Sequence, residues 1–232
     1  MGRYGNHRIN AGHPIVLRRL YYASVFIILK IFFFIINNRS VENPHDFTTF
    51  PDDLIPFIRF AVIPYVYWYF FLAFGLVFLA VVDHRNYFGL LGSIYIGEII
   101  SFSFYLLVPS TTQRPQINRH DFFSRLTDTL YRRDAHMNCL PSLHIMEAIL
   151  VVLFLLRYNK RILMGIFAWT SALLIILSTL LIKQHALLDI FVTVILSFFV
   201  YYLVTSDKIL NNDKIKKLLT LIIPEQLRQE RS

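Results

Sequence analysis

Long apolar runs alternate with short charged connectors along this chain, and no other feature limits the possible folds so strongly. The runs fall at 20–36, 58–82, 88–108, 142–156, 162–182 and 185–204, are rich in Leu, Ile, Val and Phe, and carry few charges. A helix needs about 20 apolar residues to cross a bilayer, where every backbone polar group must be satisfied internally. The pattern therefore predicts an all-α polytopic membrane protein with about six transmembrane helices in one bundle. Composition agrees, since 56% hydrophobic residues and a mean hydropathy of +0.52 are not globular values. Three parts follow: an N-terminal segment at 1–19, a six-helix transmembrane domain at 20–206, and a tail at 207–232.

The first run follows Arg18 and Arg19 like a secretory signal, but it lacks a small-residue cleavage site and ends in Asn37-Asn38-Arg39. It reads as an uncleaved span. The next connector, with Glu42, Asp46, Asp52, Asp53, Pro44, Pro51 and Pro56, reads as irregular or interfacial. Tyr65, Tyr67, Trp68 and Tyr69 are expected at headgroup level near the outer end of the second span, which Pro64 could kink. In the tail, Ile209, Leu210, Ile215, Leu218, Leu219 and Ile222 alternate with Lys208, Lys214, Lys216 and Lys217. They read as a basic amphipathic helix lying on a leaflet and halted by Pro224, with a plain solvated tail as the alternative.

The net charge of +8 sits between the apolar runs and follows no nucleic-acid motif, so the expected partner is a phospholipid surface and not nucleic acid. With the N-terminus cytoplasmic, that face collects 14 of the 23 lysines and arginines and the opposite face 8, which favours N-in, C-in. The connectors at 109–141 and 183–185 then share the outer face. The single cysteine, Cys139, allows no internal disulfide and reads as a small apolar spacer.

Both of those connectors carry histidine. In Asn138-Cys139-Leu140-Pro141-Ser142-Leu143-His144, a basic loop with Arg114, Arg119, Arg125, Arg132 and Arg133 runs into an apolar helix. Pro141 suits a first helical turn, and the helix start offers N–H groups and a positive dipole end to an anion such as phosphate. In the second connector His185 and Asp189 are spaced i,i+4, which on a helix stacks them on one face. A carboxylate on one ring nitrogen leaves the other electron-rich. Phosphoryl transfer through a phosphohistidine needs a nucleophile, cations around the phosphoryl oxygens and an acid for the leaving oxygen. His185, Arg114 with the Ser142 helix start, and His144 supply these. Glu147 could tune His144 or bond to a neighbouring helix, and Glu98 and Lys30 lie at matching depth for an ion pair.

Gln113-Arg114-Pro115, Pro141-Ser142-Leu143-His144, and Ser178 with His185 and Asp189 resemble the three ordered motifs of the type-2 phosphatidic acid phosphatase superfamily. These are membrane enzymes of about six helices that cleave or transfer lipid phosphoryl groups without a metal. The resemblance covers roughly 52–204. It implies that Arg114 and Ser142 bind phosphate, His144 protonates the leaving group, His185 attacks phosphorus and Asp189 orients His185, with Ser178 opening the third motif. The substrate would be a membrane lipid phosphate, the acceptor water or an alcohol, and no cofactor would be needed.

Departures from the motifs point to a branch. The first-motif lysine falls on Leu107, the glycine before the second-motif histidine on Leu143, and the third-motif arginine on Thr179. The pattern is more similar to inositol phosphorylceramide synthase and sphingomyelin synthase, which pass a lipid headgroup to an alcohol. Lys183, Arg119 or Arg132 with Arg133 could restore the lost charge. An outer-face active site in the plasma membrane is expected. Two other readings stay open: a membrane metallohydrolase or divalent-metal carrier using His144, Glu147, His185 and Asp189, and a lipid-binding or scramblase-like relative without turnover.

Overall fold

The computed structural model describes residues 12–39, 41–134 and 136–206, with side chains described from Ser24 onward. The expected tail helix and most of the N-terminal segment lie outside the described residues. The helices are α1 (Gly12–Asn37), α2 (Phe50–Asp53), α3 (Val62–Val82), α4 (His84–Leu107), α5 (Phe122–Arg133), α6 (Leu143–Tyr158), α7 (Ile162–Leu181) and α8 (Leu187–Thr205). A short parallel pair joins β1 (His45–Asp46) to β2 (Ser110–Thr111). Among the described residues, four helical stretches are long and apolar enough to cross a bilayer: Arg59–Val82, His84–Leu107, Ile162–Leu181 and Leu187–Thr205. A shorter apolar stretch, Ser24–Asn37, accompanies them. The chain is an all-α integral membrane protein.

The axis of the bundle is α6, which packs against α3, α4, α7 and α8. Its 16 residues span about 24 Å. Large apolar side chains such as Phe70, Val77, Leu163 and Phe191 point outward, where hydrocarbon rather than water receives them. Helices in lipid gain little from hydrophobic exclusion, so close approach and interior hydrogen bonds matter more. Accordingly Ser93, Ser101, Ser171, Thr193 and Ser197 are buried between helices. Gly75 lets α3 close on α6, because a Cβ there would meet Val151 Cγ1 at 2.6 Å. Gly75→Val is expected to destabilise the bundle by about 1–3 kcal/mol. Unchanged thermal unfolding in detergent would show that the two helices have room to spare.

Several local expectations are corrected. Pro64 lies in the first turn of α3, where its missing N–H is not needed, and the helix runs on to Val82 unbroken. Tyr65 and Trp68 do not join a headgroup belt. They turn inward at 1% and 6% exposure, while Tyr69 stays 56% exposed. The long connector contains α5, capped by the Asp121 carboxylate, which accepts the Ser124 N–H at 3.0 Å. Its Phe123, Leu126 and Leu130 pack against Tyr65, Val62 and Ile182, a stripe too short to stand out among so many arginines.

The C-terminal ends of α1, α4 and α7 and the N-terminal ends of α3, α6 and α8 meet at one end of the bundle. Backbone bonds from Ile58 N–H to the Leu181 carbonyl (2.8 Å) and from Asn138 N–H to the Ser110 carbonyl (2.6 Å) tie the connectors together there.

Candidate active site

Ser142 is the N-cap of α6, and its Oγ accepts the Ile145 N–H at 3.4 Å. Pro141, reached through a cis Leu140–Pro141 bond, therefore precedes the cap and is not in the first turn. Tyr105 holds it by donating its hydroxyl to the Pro141 carbonyl. The Ser142 N–H donates to Thr193 Oγ1 at 2.8 Å, so α8 already uses this first N–H.

The second connector is pinned by its own backbone. The N–H groups of Gln184 and His185 both donate to the Thr179 carbonyl, at 2.9 and 3.2 Å, and Lys183 turns the chain with φ 53°. This sets His185 just ahead of α8, whose N-cap is Ala186. His185 and Asp189 thus do not stack along one helical face. Instead Asp189, in the first turn, curls back so that Oδ2 accepts the Ala186 N–H at 2.9 Å and lies 3.2 Å from His185 Nδ1.

His185 Nδ1 also lies 2.9 Å from the Cys139 carbonyl. Both of its neighbours are acceptors, so Nδ1 carries the proton and, in the neutral ring, Nε2 holds a lone pair. The hydroxyl of Ser142, 2.9 Å away, donates to that lone pair. The ring is thereby set in the tautomer a nucleophile at Nε2 requires. The Cys139 thiol is buried, which pushes its pKa up to about 12 and leaves it inert; its carbonyl is the part that matters.

His144 stands 6.0 Å from His185, ring centre to ring centre. Its Nε2 is 2.8 Å from the Tyr65 hydroxyl, and Trp68 packs on the ring at 4.4 Å. Tyr65 donates to Asp134 Oδ2 at 3.1 Å, so its oxygen accepts from His144. Asp134 also accepts from Gln184 Nε2 at 2.6 Å and Asn37 Nδ2 at 3.0 Å. The proton that His144 carries is therefore on Nε2, held by a hydroxyl that Asp134 backs.

Arg114 completes the group. It donates to the Asp134 carbonyl at 2.8 Å, and its guanidinium lies 4.5 Å over the Tyr131 ring. Tyr131 is fixed in turn by donating to the Ile182 carbonyl, and burial raises its hydroxyl pKa to about 12. Arg114 and His185 line a polar cavity of about 460 Å³ with Lys183, Asp52, Asp53 and Gln113. A void of about 20 Å³, bordered by Arg114, His144 and His185, shares Arg114 and His185 with that cavity. Lys183 Nζ donates to the Asp52 carbonyl at 2.7 Å.

The structure thus brings together His185, Asp189, Ser142, His144, Arg114 and Lys183. Ser178 stays apart: it is buried, and its hydroxyl donates to the Ile175 carbonyl of its own helix. The other arginines of the connector lie outside the cavity, with Arg119 and Arg132 both on Asp128 of α5. Leu107 is 81% exposed on the outer surface and Thr179 is fully buried, so neither position faces the cavity. Glu147 turns away from His144 and binds Lys30 Nζ at 2.5 Å, so the four residues of a possible metal set do not converge. Among the described residues, no group of three or more His, Cys, Asp or Glu is placed to hold a metal ion.

Tyr65, Asp134 and Gln184 escaped the sequence reading. A tyrosine at a span end reads as a lipid anchor, and nothing in Arg132-Arg133-Asp134 distinguishes the aspartate from its neighbours. Only the place of Gln184 beside His185 gave a hint. A search of curated proteins and a search of solved structures each found no match. A comparison with protein-family models matched residues 90–212, which carry the Arg114 loop, the α6 start and the His185 turn, to the PAP2 superfamily. That match spans more than half of the chain and agrees with the histidine pair at its centre, and the protein belongs to the PAP2 superfamily.

Proposed function

We propose that this protein is a phosphatase or phosphotransferase of membrane lipid phosphates that works through a phosphohistidine. The observation that carries this reading is the tautomer of His185. Two acceptors hold Nδ1–H, Nε2 takes the Ser142 hydroxyl, and the His144 ring lies 6.0 Å away, centre to centre. In this reading Nε2 of His185 attacks phosphorus while Arg114, Lys183 and the Ser142 hydroxyl hold phosphoryl oxygens. His144 passes a proton to the departing oxygen, and Asp189 steadies the imidazolium that forms. The chemistry needs no metal. Chelators should leave turnover unchanged and vanadate should inhibit it.

Two cations of the usual family pattern are missing, and Lys183 on the cavity wall can take over part of their charge. This departure favours the branch of inositol phosphorylceramide synthase and sphingomyelin synthase. The basic-residue asymmetry supports a site on the outer face with both termini cytoplasmic, and a plasma-membrane location belongs to the same reading. The test is purified protein with a panel of phospholipids and phosphatidate, with and without alcohol acceptors. Release or transfer of phosphate or a phosphorylated headgroup is expected. No product from any lipid would leave a non-catalytic lipid-binding protein as the better account. Lys183→Met is expected to cost about 10–100-fold in kcat/KM, the worth of one charge-assisted contact. Full turnover in that variant would remove Lys183 from phosphate binding.

A further inference from the structure

A second, larger cavity is walled by His144 and not by His185, whereas the polar one is walled by His185 and not by His144. It measures about 690 Å³ and runs between α1, α3 and α5, from Arg133 and Leu130 at α5 to Leu76 and Phe26 deeper in the bundle, with His144 on its wall. Leu76 lies 11 residues beyond Tyr65 along α3, or about 16 Å at 1.5 Å per residue. The cavity exists because α1 packs on α4 and stands off from α3. One end is charged, at connector level; the other, within the span, is aromatic and aliphatic apart from the Lys30 ammonium, which Glu98 and Glu147 engage. Its length and polarity match a glycerolipid or sphingoid alcohol, hydroxyl toward His144 and chains toward Leu76.

We infer that this cavity holds the alcohol half of the reaction, both the lipid alcohol that leaves and the lipid alcohol that replaces it. This rests on the phosphohistidine reading above. In-line displacement puts the leaving oxygen opposite the attacking nitrogen. In the first step the bond from His185 Nε2 to phosphorus forms, the phosphorus–oxygen bond to the lipid breaks, and a proton moves from His144 to that oxygen. In the second step an alcohol oxygen attacks from the face just vacated, the nitrogen–phosphorus bond breaks, and the alcohol proton returns to His144. Both alcohols therefore occupy the His144 side, and the cavity there is built for acyl chains. The polar cavity beyond His185 receives whatever else phosphorus carries. Lipid-to-lipid transfer, rather than hydrolysis, is the activity this layout serves.

The test has two arms, run on the full chain in phospholipid vesicles. In the first, diacylglycerol bearing a diazirine in one chain is photolysed with wild type, His185→Ala, Ala73→Trp and Leu173→Trp. Ala73 lines the cavity, whereas Leu173 is 55% exposed on α7, which does not border it, and controls for the added indole. Label is expected on α1 and α3 peptides in wild type, His185→Ala and Leu173→Trp, and at least about fivefold lower in Ala73→Trp. Equal label in Ala73→Trp, label spread evenly over the outer helix faces, or crosslinking to a second copy through this gap overturns the assignment. In the second arm, deuterated dioleoylglycerol is supplied with phosphatidate, phosphatidylcholine, phosphatidylethanolamine or phosphatidylinositol. Deuterium should enter a phospholipid in wild type, be lost in His185→Ala, and fall at least about tenfold in Ala73→Trp. Release of phosphate or headgroup phosphate without exchange overturns the lipid-acceptor half of the inference. Undiminished exchange in His185→Ala sinks the phosphohistidine reading and leaves the labelling result standing.

Discussion

Replacing His185 by Ala is expected to abolish phosphoryl transfer, by at least about 10³-fold, whereas replacing His144 by Ala should lower it by an amount that depends on the leaving group. The two histidines sit 6.0 Å apart but in different electronic states. On one ring, the Cys139 carbonyl and Asp189 carboxylate hold the Nδ1 proton and expose Nε2 to the Ser142 hydroxyl. On the other, the hydroxyl of Tyr65, backed by Asp134, accepts at Nε2. A nucleophile cannot be bypassed, so loss of His185 should remove the covalent intermediate altogether. General acid catalysis contributes about 10²–10⁴-fold, and only when the leaving oxygen is basic. His144→Ala should therefore lose most of its turnover on a lipid ester. It should still form phosphoenzyme from p-nitrophenyl phosphate, whose phenolate leaves without help. Acid-labile, base-stable phosphoprotein from that ester, present in wild type and His144→Ala and missing in His185→Ala, is the expected pattern. Phosphoenzyme in His185→Ala, or equal losses on both esters in His144→Ala, would sink this assignment of roles.

Hydropathy made the all-α membrane class legible, and three motifs named most of the side chains that the fold gathers at one end of the bundle, because bilayer thickness and phosphoryl chemistry act on residue type and order. What stayed hidden depends on direction. Tyr65 and Tyr69 lie one turn apart on one face of the same apolar run, yet one is 1% and the other 56% exposed, since Asp134, His144 and Gln184 enclose Tyr65 while Tyr69 borders the open cavity one turn further in. The i,i+4 spacing of His185 and Asp189 suggested a helical face, whereas the contact is made across a helix start. The difference comes from the Thr179 carbonyl, which captures two successive N–H groups and ends α7 in a turn that holds His185 outside α8. Such choices are made by backbone partners distant in sequence, which the pattern of side chains does not report.

Lys30→Met is expected to destabilise the bundle by about 3–5 kcal/mol, the largest stability effect of any single change considered. Lys30 Nζ lies 2.7 Å from Glu98 and 2.5 Å from Glu147, so one ammonium on α1 joins α4 and α6 inside the hydrocarbon layer. Matching depth suggested the pairing with Glu98, while Glu147, one turn from His144, takes the second position. Both carboxyl groups are fully buried, and removing the ammonium leaves them without a counter-charge. A single ammonium balances one carboxylate, so the glutamates should be unequal to the lysine in consequence. Glu98→Gln or Glu147→Gln alone is expected to cost within about 1–2 kcal/mol. The Glu98→Gln, Glu147→Gln double variant strands the ammonium and should be as damaging as Lys30→Met, far beyond the sum of its parts. Neutralising all three together should recover more than half of the loss. Thermal unfolding in lipid nanodiscs reads the series, and additive effects would show three independent side chains instead of one charge cluster. Because α1 forms a wall of the 690 Å³ cavity and Lys30 lines it, loss of this anchor should also lower turnover of lipid esters more than of p-nitrophenyl phosphate. A parallel loss on both would confine the cluster to holding helices together.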